Sequence, residues 1–420
     1  MFTREIYVLV KVIQSLFESH IGRLNHRYYT SPANQEHVKK VLKIEDSDFQ
    51  KTLDYTNDKY SYGKVAGFIQ LFAFISFLWF GGFGLVESVA KELGAGFGLS
   101  EIGVGLVFFA LLGVISTVFS VPFDYYSTFV IEQKHGFNKQ TKKIFFLDKV
   151  KGIAVGALLG GLLLGGLLWL MGRLGEYWWV WAWVFVSGFS IVMAWAYPTF
   201  ISPLFNKFTP LEDGELKTRL HALAEKVKFK AGGIFLMNAS IRSTHGNAYF
   251  TGLFGEKRIV LFDTLVKTLS PRQVEAVLAH ELGHFKLNHI RWMLVRSVLF
   301  TGVFLFLLSL LLDEQSLYTS FGFSGVSNYA ALVVFPSWFG LVEFFIGPIS
   351  ALLSRKNEFA ADAFASEHSN SEDLAEALLS MRQSNHSMPL SHPLYSGFYY
   401  SHPPLLERID ALRRGAGSSS

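Results

Sequence analysis

The chain has 420 residues, 38 Lys and Arg against 34 Asp and Glu, a formal net charge of +4 and no cysteine. Half of it is apolar and 17% is charged, against roughly 25% in soluble domains, and the mean hydropathy is +0.30. This excludes a wholly water-soluble protein. The small net charge points to neither nucleic acid nor an acidic partner, and without Cys any metal must be held by His and carboxylates.

In chain order, residues 1–200 read as a membrane region. A helix needs roughly 20 apolar residues to cross a bilayer, and the stretches at about 65–86, 103–122, 152–171 and 178–200 qualify. The run at about 5–21 is weaker, because Lys11, Gln14 and Glu18 interrupt it. Those residues also rule out a signal-peptide layout, and an amphipathic surface helix is the alternative to a span. Residues 201–291 are polar, 292–353 carry two more spans at about 293–312 and 329–353, 354–414 are polar again, and 415–420 form a flexible tail.

Counting seven spans puts every Lys- and Arg-rich loop on one side. Loop 123–151 has six lysines, whereas 172–177 has only Arg173. The positive-inside rule then makes the basic side cytoplasmic. Both later polar regions fall on that side, joined by a helical hairpin through the membrane, so they can meet.

Residues 270–289 carry the chemistry. Ser270, Pro271 and Gln273 make a capped helix start. His280 and His284, four residues apart, share one face with the spacing a single metal ion needs. Glu281 stands beside them, placed to reach a water on the metal rather than the metal itself. This is the H-E-x-x-H arrangement of zinc proteases, in which the Glu is the general base. Gly283 costs about 1 kcal/mol relative to Ala in a helix, a cost expected where another element approaches closely.

A catalytic zinc takes three protein ligands. After the last span, Glu358 and Asp362 lie four apart on another predicted helix, among Ala360, Ala361, Ala363 and Ala365, which would let it pack tightly. Taken alone, the two acids read as solvated surface groups. Paired with the first motif, Glu358 is the candidate third ligand, and Asp362 the partner that fixes a ligand imidazole. Residues 247–254 and 257–263 read as a β-hairpin around Gly255-Glu256.

These residues, with Tyr126 to Glu132, His135 to Asn138, Pro203 to Lys207, Asn247-Ala248-Tyr249, Ile259 to Leu265 and Ser401-His402-Pro403-Pro404 through Arg408, are similar to the type I CAAX prenyl protease family over nearly the whole chain. The resemblance implies a mainly α, polytopic membrane protein. Seven transmembrane helices would enclose a large water-filled chamber, with a cytoplasmic gluzincin-like zinc protease region that includes a small β-hairpin. It implies Zn²⁺ on His280, His284 and Glu358, Glu281 as general base, and Asp362 as a supporting acid. His402 and Arg408 would stabilise the oxyanion. Asn247 and Ala248 would lie on an edge strand that binds the substrate backbone. The implied substrates are peptides or proteins at the lipid bilayer, including prenylated CAAX-type tails. Arg296 and Glu343, inside spans, would face the wet interior or pair with one another. The short outer loop 313–328 suggests a bacterial inner membrane, or the endoplasmic reticulum membrane if the source is eukaryotic. Alternatives are a membrane heat-shock-type quality-control metalloprotease, and a transporter or structural zinc protein. The last is disfavoured because there is no internal repeat and the ligands lie outside the spans.

Overall fold

The computed structural model describes residues 3–251 and 257–417. The helices of its first half are α1 (Arg4–Thr30), α2 (Pro32–Leu42), α3 (Asp46–Trp79), α4 (Gly82–Gly96), α5 (Glu101–Tyr126), α6 (Lys142–Arg173) and α7 (Trp178–Ala196). Then come β1 (Phe208–Pro210), α8 (Glu215–Lys226), β2 (Ala231–Met237), β3 (Ala248–Thr251), β4 (Lys257–Phe262), α9 (Asp263–Thr268) and α10 (Pro271–Lys286). The chain closes with α11 (His289–Leu311), α12 (Gln315–Ser320), α13 (Asn328–His368), α14 (Ser371–Ser384), α15 (Pro393–Tyr399) and α16 (Leu405–Gly417). The fold is thus mainly helical with one small mixed sheet.

Among the described residues, 6 helical stretches are long and apolar enough to cross a membrane. They contain α3, α5, α6, α7, α11 and α13; α1 forms a helix but is not one of the six. Neighbour contacts close a ring through α1, α3, α4, α5, α6, α7, α11 and α13 back to α1, with α4 joining α3 to α5. The ring helices pack at their ends and part in the middle. On α6, Phe145 is buried near one end and Leu167, Leu168 and Met171 near the other, with none buried between. On α13 burial stops at Leu341 and resumes at Glu358. One packed end holds Leu78, Phe83, Phe108, Leu168, Leu305, Phe321 and Tyr329. The other is the core of the protease region, where Leu220, Ile259, Leu278, Ala365 and Ile409 meet.

Two expectations about where helices end need correction. The run 65–86 is not one helix: α3 ends at Trp79, and Gly81 turns the chain at φ 74°. A Cβ on Gly84 would stand 2.3 Å from the carbonyl oxygen of Gly322, so α4 lies against the loop before α13. Hydropathy runs on through 80–86 because that packed cap is as apolar as a span. Likewise the helix of the last span does not end at 353, since α13 continues unbroken to His368 and carries Glu358 and Asp362 on the same helix. No helix breaker follows Leu353, so the end of the apolar stretch is not the end of the helix. Of the two readings of Arg296 and Glu343, only the pairing is missing: both are exposed and, among the described residues, form no ion pair with each other.

The expected hairpin is half of a larger sheet. Strand order is β1-β2-β4-β3, with β2 and β4 parallel and β3 antiparallel to β4 at one edge. The turn expected at Gly255-Glu256 lies outside the described residues, as do Ser418–Ser420 of the tail. Helix α16 runs on to Gly417.

Candidate metal centre

Helix α10 starts as its sequence dictates. The Ser270 side chain accepts from the backbone N–H of Gln273, and the Gln273 side chain accepts from that of Ser270, a complete capping box. From there Val274, Ala276, Val277, Leu278, Ala279 and Leu282 are buried, which fixes the helix in the core and sets the direction of its two histidines. Buried Glu358, Ala361, Asp362 and Ala365 form the facing stripe of α13. Of the four alanines expected to allow close packing, Ala361 and Ala365 are wholly buried, Ala360 is partly so and Ala363 faces out.

The two helices touch at Gly283. A Cβ there would stand 3.1 Å from Ala361 Cα, 3.2 Å from its carbonyl oxygen and 3.2 Å from Phe364 Cβ. Only glycine lets α10 come this close, which accounts for its cost to the helix.

This contact brings His280, His284 and Glu358 together, with one donor atom from each within 4.8 Å of the others. The Nε2 atoms of His280 and His284 are 3.2 Å apart. Glu358 Oε1 lies 3.2 Å from His284 Nε2, and Oε2 3.5 Å from His280 Nε2. Glu358 Oε2 is buried without a hydrogen-bond partner. Two imidazole nitrogens and an orphaned carboxylate oxygen, all aimed at one point, suit a tetrahedral cation that takes N and O ligands.

Around this centre, Asp362 Oδ1 lies 2.8 Å from His280 Nδ1. Arg408 grips the same carboxylate, with Nη2 donating to Oδ1 at 2.6 Å and Nε to Oδ2 at 2.8 Å. That two-point pairing keeps Asp362 ionised. Arg408 Nη1 remains 3.7 Å from Glu358 Oε2. His402 stands in the turn before α16, its Nε2 3.4 Å from Glu358 Oε1 and its side chain 64% exposed. Glu281 makes no hydrogen bond or ion pair among the described residues, and burial pushes its carboxyl pKa above the ordinary 4.5. For His280, burial opposes the charge, but the adjoining carboxylates of Asp362 and Glu358 outweigh it and push the pKa up to about 9 in the metal-free protein.

Asn247 is exposed just ahead of β3, and its carbonyl accepts from Phe262 N–H. Ala248 is buried with its side chain in the core, leaving its backbone on the edge strand. Sequence reasoning missed two groups. His289 puts Nδ1 3.0 Å from Nδ1 of His284, the outward partner of the second imidazole; its place five residues after His284, across a helix break, was the only signal. His245 connects Glu132 (3.4 Å) to Asn385 (3.1 Å), and Asn385 also accepts from Gly246 N–H. This network braces the chain just ahead of β3.

A ring of apolar helices with such a centre at one end defines an integral-membrane metallopeptidase. Residues 28–207 match the CAAX prenyl protease N-terminal family, described as five membrane helices, and residues 210–416 match peptidase family M48. The CAAX prenyl protease 1 homolog of Oryza sativa is 34% identical over 97% of this chain and 96% of its own. The CAAX prenyl protease 1 of Saccharomyces cerevisiae is 36% identical over 96% and 93%. The crystal structure of S. mikatae Ste24p superposes with a TM-score of 0.92 at 34% identity, covering 97% of this chain and 98% of that one. The chain belongs to the CAAX prenyl protease 1 family within M48 and is a membrane metalloendopeptidase.

Proposed function

We propose that this protein is a zinc endopeptidase that removes C-terminal residues from prenylated CAAX-type peptides at the cytoplasmic face of its membrane. The convergence of His280, His284 and Glu358 beside an unbonded Glu281 carries the reading. The substrate class follows from its near-full-length relatives, the CAAX prenyl protease 1 of Saccharomyces cerevisiae and its homolog in Oryza sativa. The two Nε2 atoms and a Glu358 oxygen would hold zinc. When bound, that ion supplies a Lewis acid that lowers the pKa of water toward neutrality and polarises a carbonyl.

The chain's own groups do the rest. Asp362 accepts the Nδ1 proton of His280 and so leaves the Nε2 lone pair facing inward. Glu281, free of partners and with a raised pKa, takes the proton of the attacking water and delivers it to the leaving amine. Arg408 is immobilised by Asp362 but keeps Nη1 on the Glu358 side. From there it can stabilise an oxyanion together with His402. The backbone at Asn247 and Ala248 offers an unpaired strand edge on which a peptide can add as a further strand.

Seven spans, with α1 as the seventh, are supported by the closed ring of neighbours, which is incomplete without α1. The Lys- and Arg-rich loops on the protease side support a cytoplasmic catalytic face. The short loop 313–328 supports a bacterial inner membrane. Mass spectrometry of products from a farnesylated peptide, with and without chelator, tests the function. One chelator-sensitive cut near the C-terminus is expected; cleavage unaffected by chelator, or none, overturns the reading.

A further inference from the structure

A cavity of about 710 Å³ runs from Arg408 and His402 at the metal centre to His245, just ahead of β3, and on to Tyr55 and Lys59 of α3. A peptide that adds antiparallel to β3, the more stable of the two pairings, runs opposite to β3. Its C-terminal direction is therefore toward His245 and into this cavity. The residues downstream of the scissile bond are the ones that occupy it.

The lining defines what those residues are. Leu378, Met381, Met388, Leu405 and three prolines give it apolar walls, and no Asp or Glu among the described residues lines it. Three fixed cations do: Arg408, Arg382 and Lys59. Arg408 is paired with Asp362 and Arg382 with Asp48. Lys59 forms no salt bridge among the described residues; the carboxylate whose charge it feels is Glu132, on the far side of the Tyr55 hydroxyl. The lysine Nζ rests 3.4 Å from the hydroxyl of Tyr55, and that hydroxyl in turn donates to Glu132 at 2.6 Å. Glu132 is held there by Tyr55 and His245, behind the wall. Two buried polar atoms of lining residues, Arg382 Nε and His386 Nδ1, also lack a hydrogen-bond partner. The volume falls within the ~300–1,000 Å³ typical of small-ligand pockets, enough for a few residues but not for a continuing folded chain.

We propose that this cavity binds the short apolar C-terminal segment of the substrate, and that Lys59 receives its free terminal carboxylate. Lys59 then acts as a specificity-determining group that sets the cut a fixed short distance from a chain end. The inference rests on the proposed function, because it needs a peptide lying along β3.

The test compares two farnesylated peptides of one sequence, one ending in a carboxylate and the other in an amide. It uses the full-length protein and its Lys59→Met and Lys59→Arg variants, each checked for bound metal and thermal unfolding. The readout is the ratio of kcat/KM for acid over amide. For the unmodified protein we expect a ratio of about 10 or more, expressed in KM, since hydrogen bonds to charged groups are worth that much. Lys59→Met should bring the ratio near one, and Lys59→Arg should retain most of it. Equal cleavage of both peptides by the unmodified protein, or a preference that survives Lys59→Met, overturns the assignment. Failure to cut either peptide refutes the proposed substrate class instead, and the two failures are thereby distinguished.

Discussion

Replacing Gly283 by Ala separates two opposing effects. Helix propensity alone favours the variant by about 1 kcal/mol. The new methyl, however, would stand 3.1–3.2 Å from Ala361 Cα, its carbonyl oxygen and Phe364 Cβ. Two of those atoms are backbone of α13, a helix of 41 residues anchored in both cores, so the obstacle cannot rotate away. Overpacking of this kind costs about 1–3 kcal/mol. The expected net effect is a loss of up to about 2 kcal/mol. The metal centre should suffer more, because separating α10 from α13 at Gly283 draws His280 and His284 away from Glu358. Metal affinity, measured by competition with a chromogenic chelator, should fall about tenfold or more, in the range seen when ligand orientation is disturbed. A variant that unfolds at the same or a higher temperature and binds metal as tightly would refute the idea that this contact sets the site.

Glu358→Gln should reduce metal affinity still further, as it removes the carboxylate that, among the described residues, converges with His280 and His284; dialysis followed by metal analysis reads this. Asp362→Asn should weaken metal binding about 10–100-fold, since it frees the His280 tautomer and leaves Arg408 buried without its partner. In the metal-free protein the pKa of His280 is raised from 6.5 to about 9. The folded value exceeds the unfolded one, so this group's contribution to apo stability is full below about pH 6.5 and is lost as pH rises through 9. Metal displaces the same proton, so apparent affinity should climb with pH over that window in a chelator titration. A reporter fused after Arg173 should prove non-cytoplasmic; a cytoplasmic signal would break the seven-span topology.

The cluster of His280, His284 and Glu358 was legible in sequence because it is written in local spacing. His280 with His284 and Glu358 with Asp362 are both pairs four apart, and the capping box at Ser270 fixed where α10 begins. Gly283 was legible as a cost, and only the approach of Ala361 supplied its cause. What escaped depended on contact between distant segments. Hydropathy marks lipid thickness, so it ran past the break at Gly81 and stopped at 353 in the middle of α13. Strand β2 contains Gly232 and Gly233 and β1 ends in Pro210, so neither carries the alternation that exposed β3 and β4. The bracing of His245 by Glu132 and Asn385 spans residues far apart in the chain and leaves no local pattern.

The most direct test of the central claim is Glu281→Gln, with bound metal and peptide cleavage measured on the same preparation. Metal content should stay at one ion per chain, since Glu281 stands outside the His280, His284 and Glu358 cluster. Cleavage of a farnesylated peptide should fall by at least the ~10²–10⁴-fold that a general base contributes. Full cleavage by a variant that still holds its metal would contradict the account.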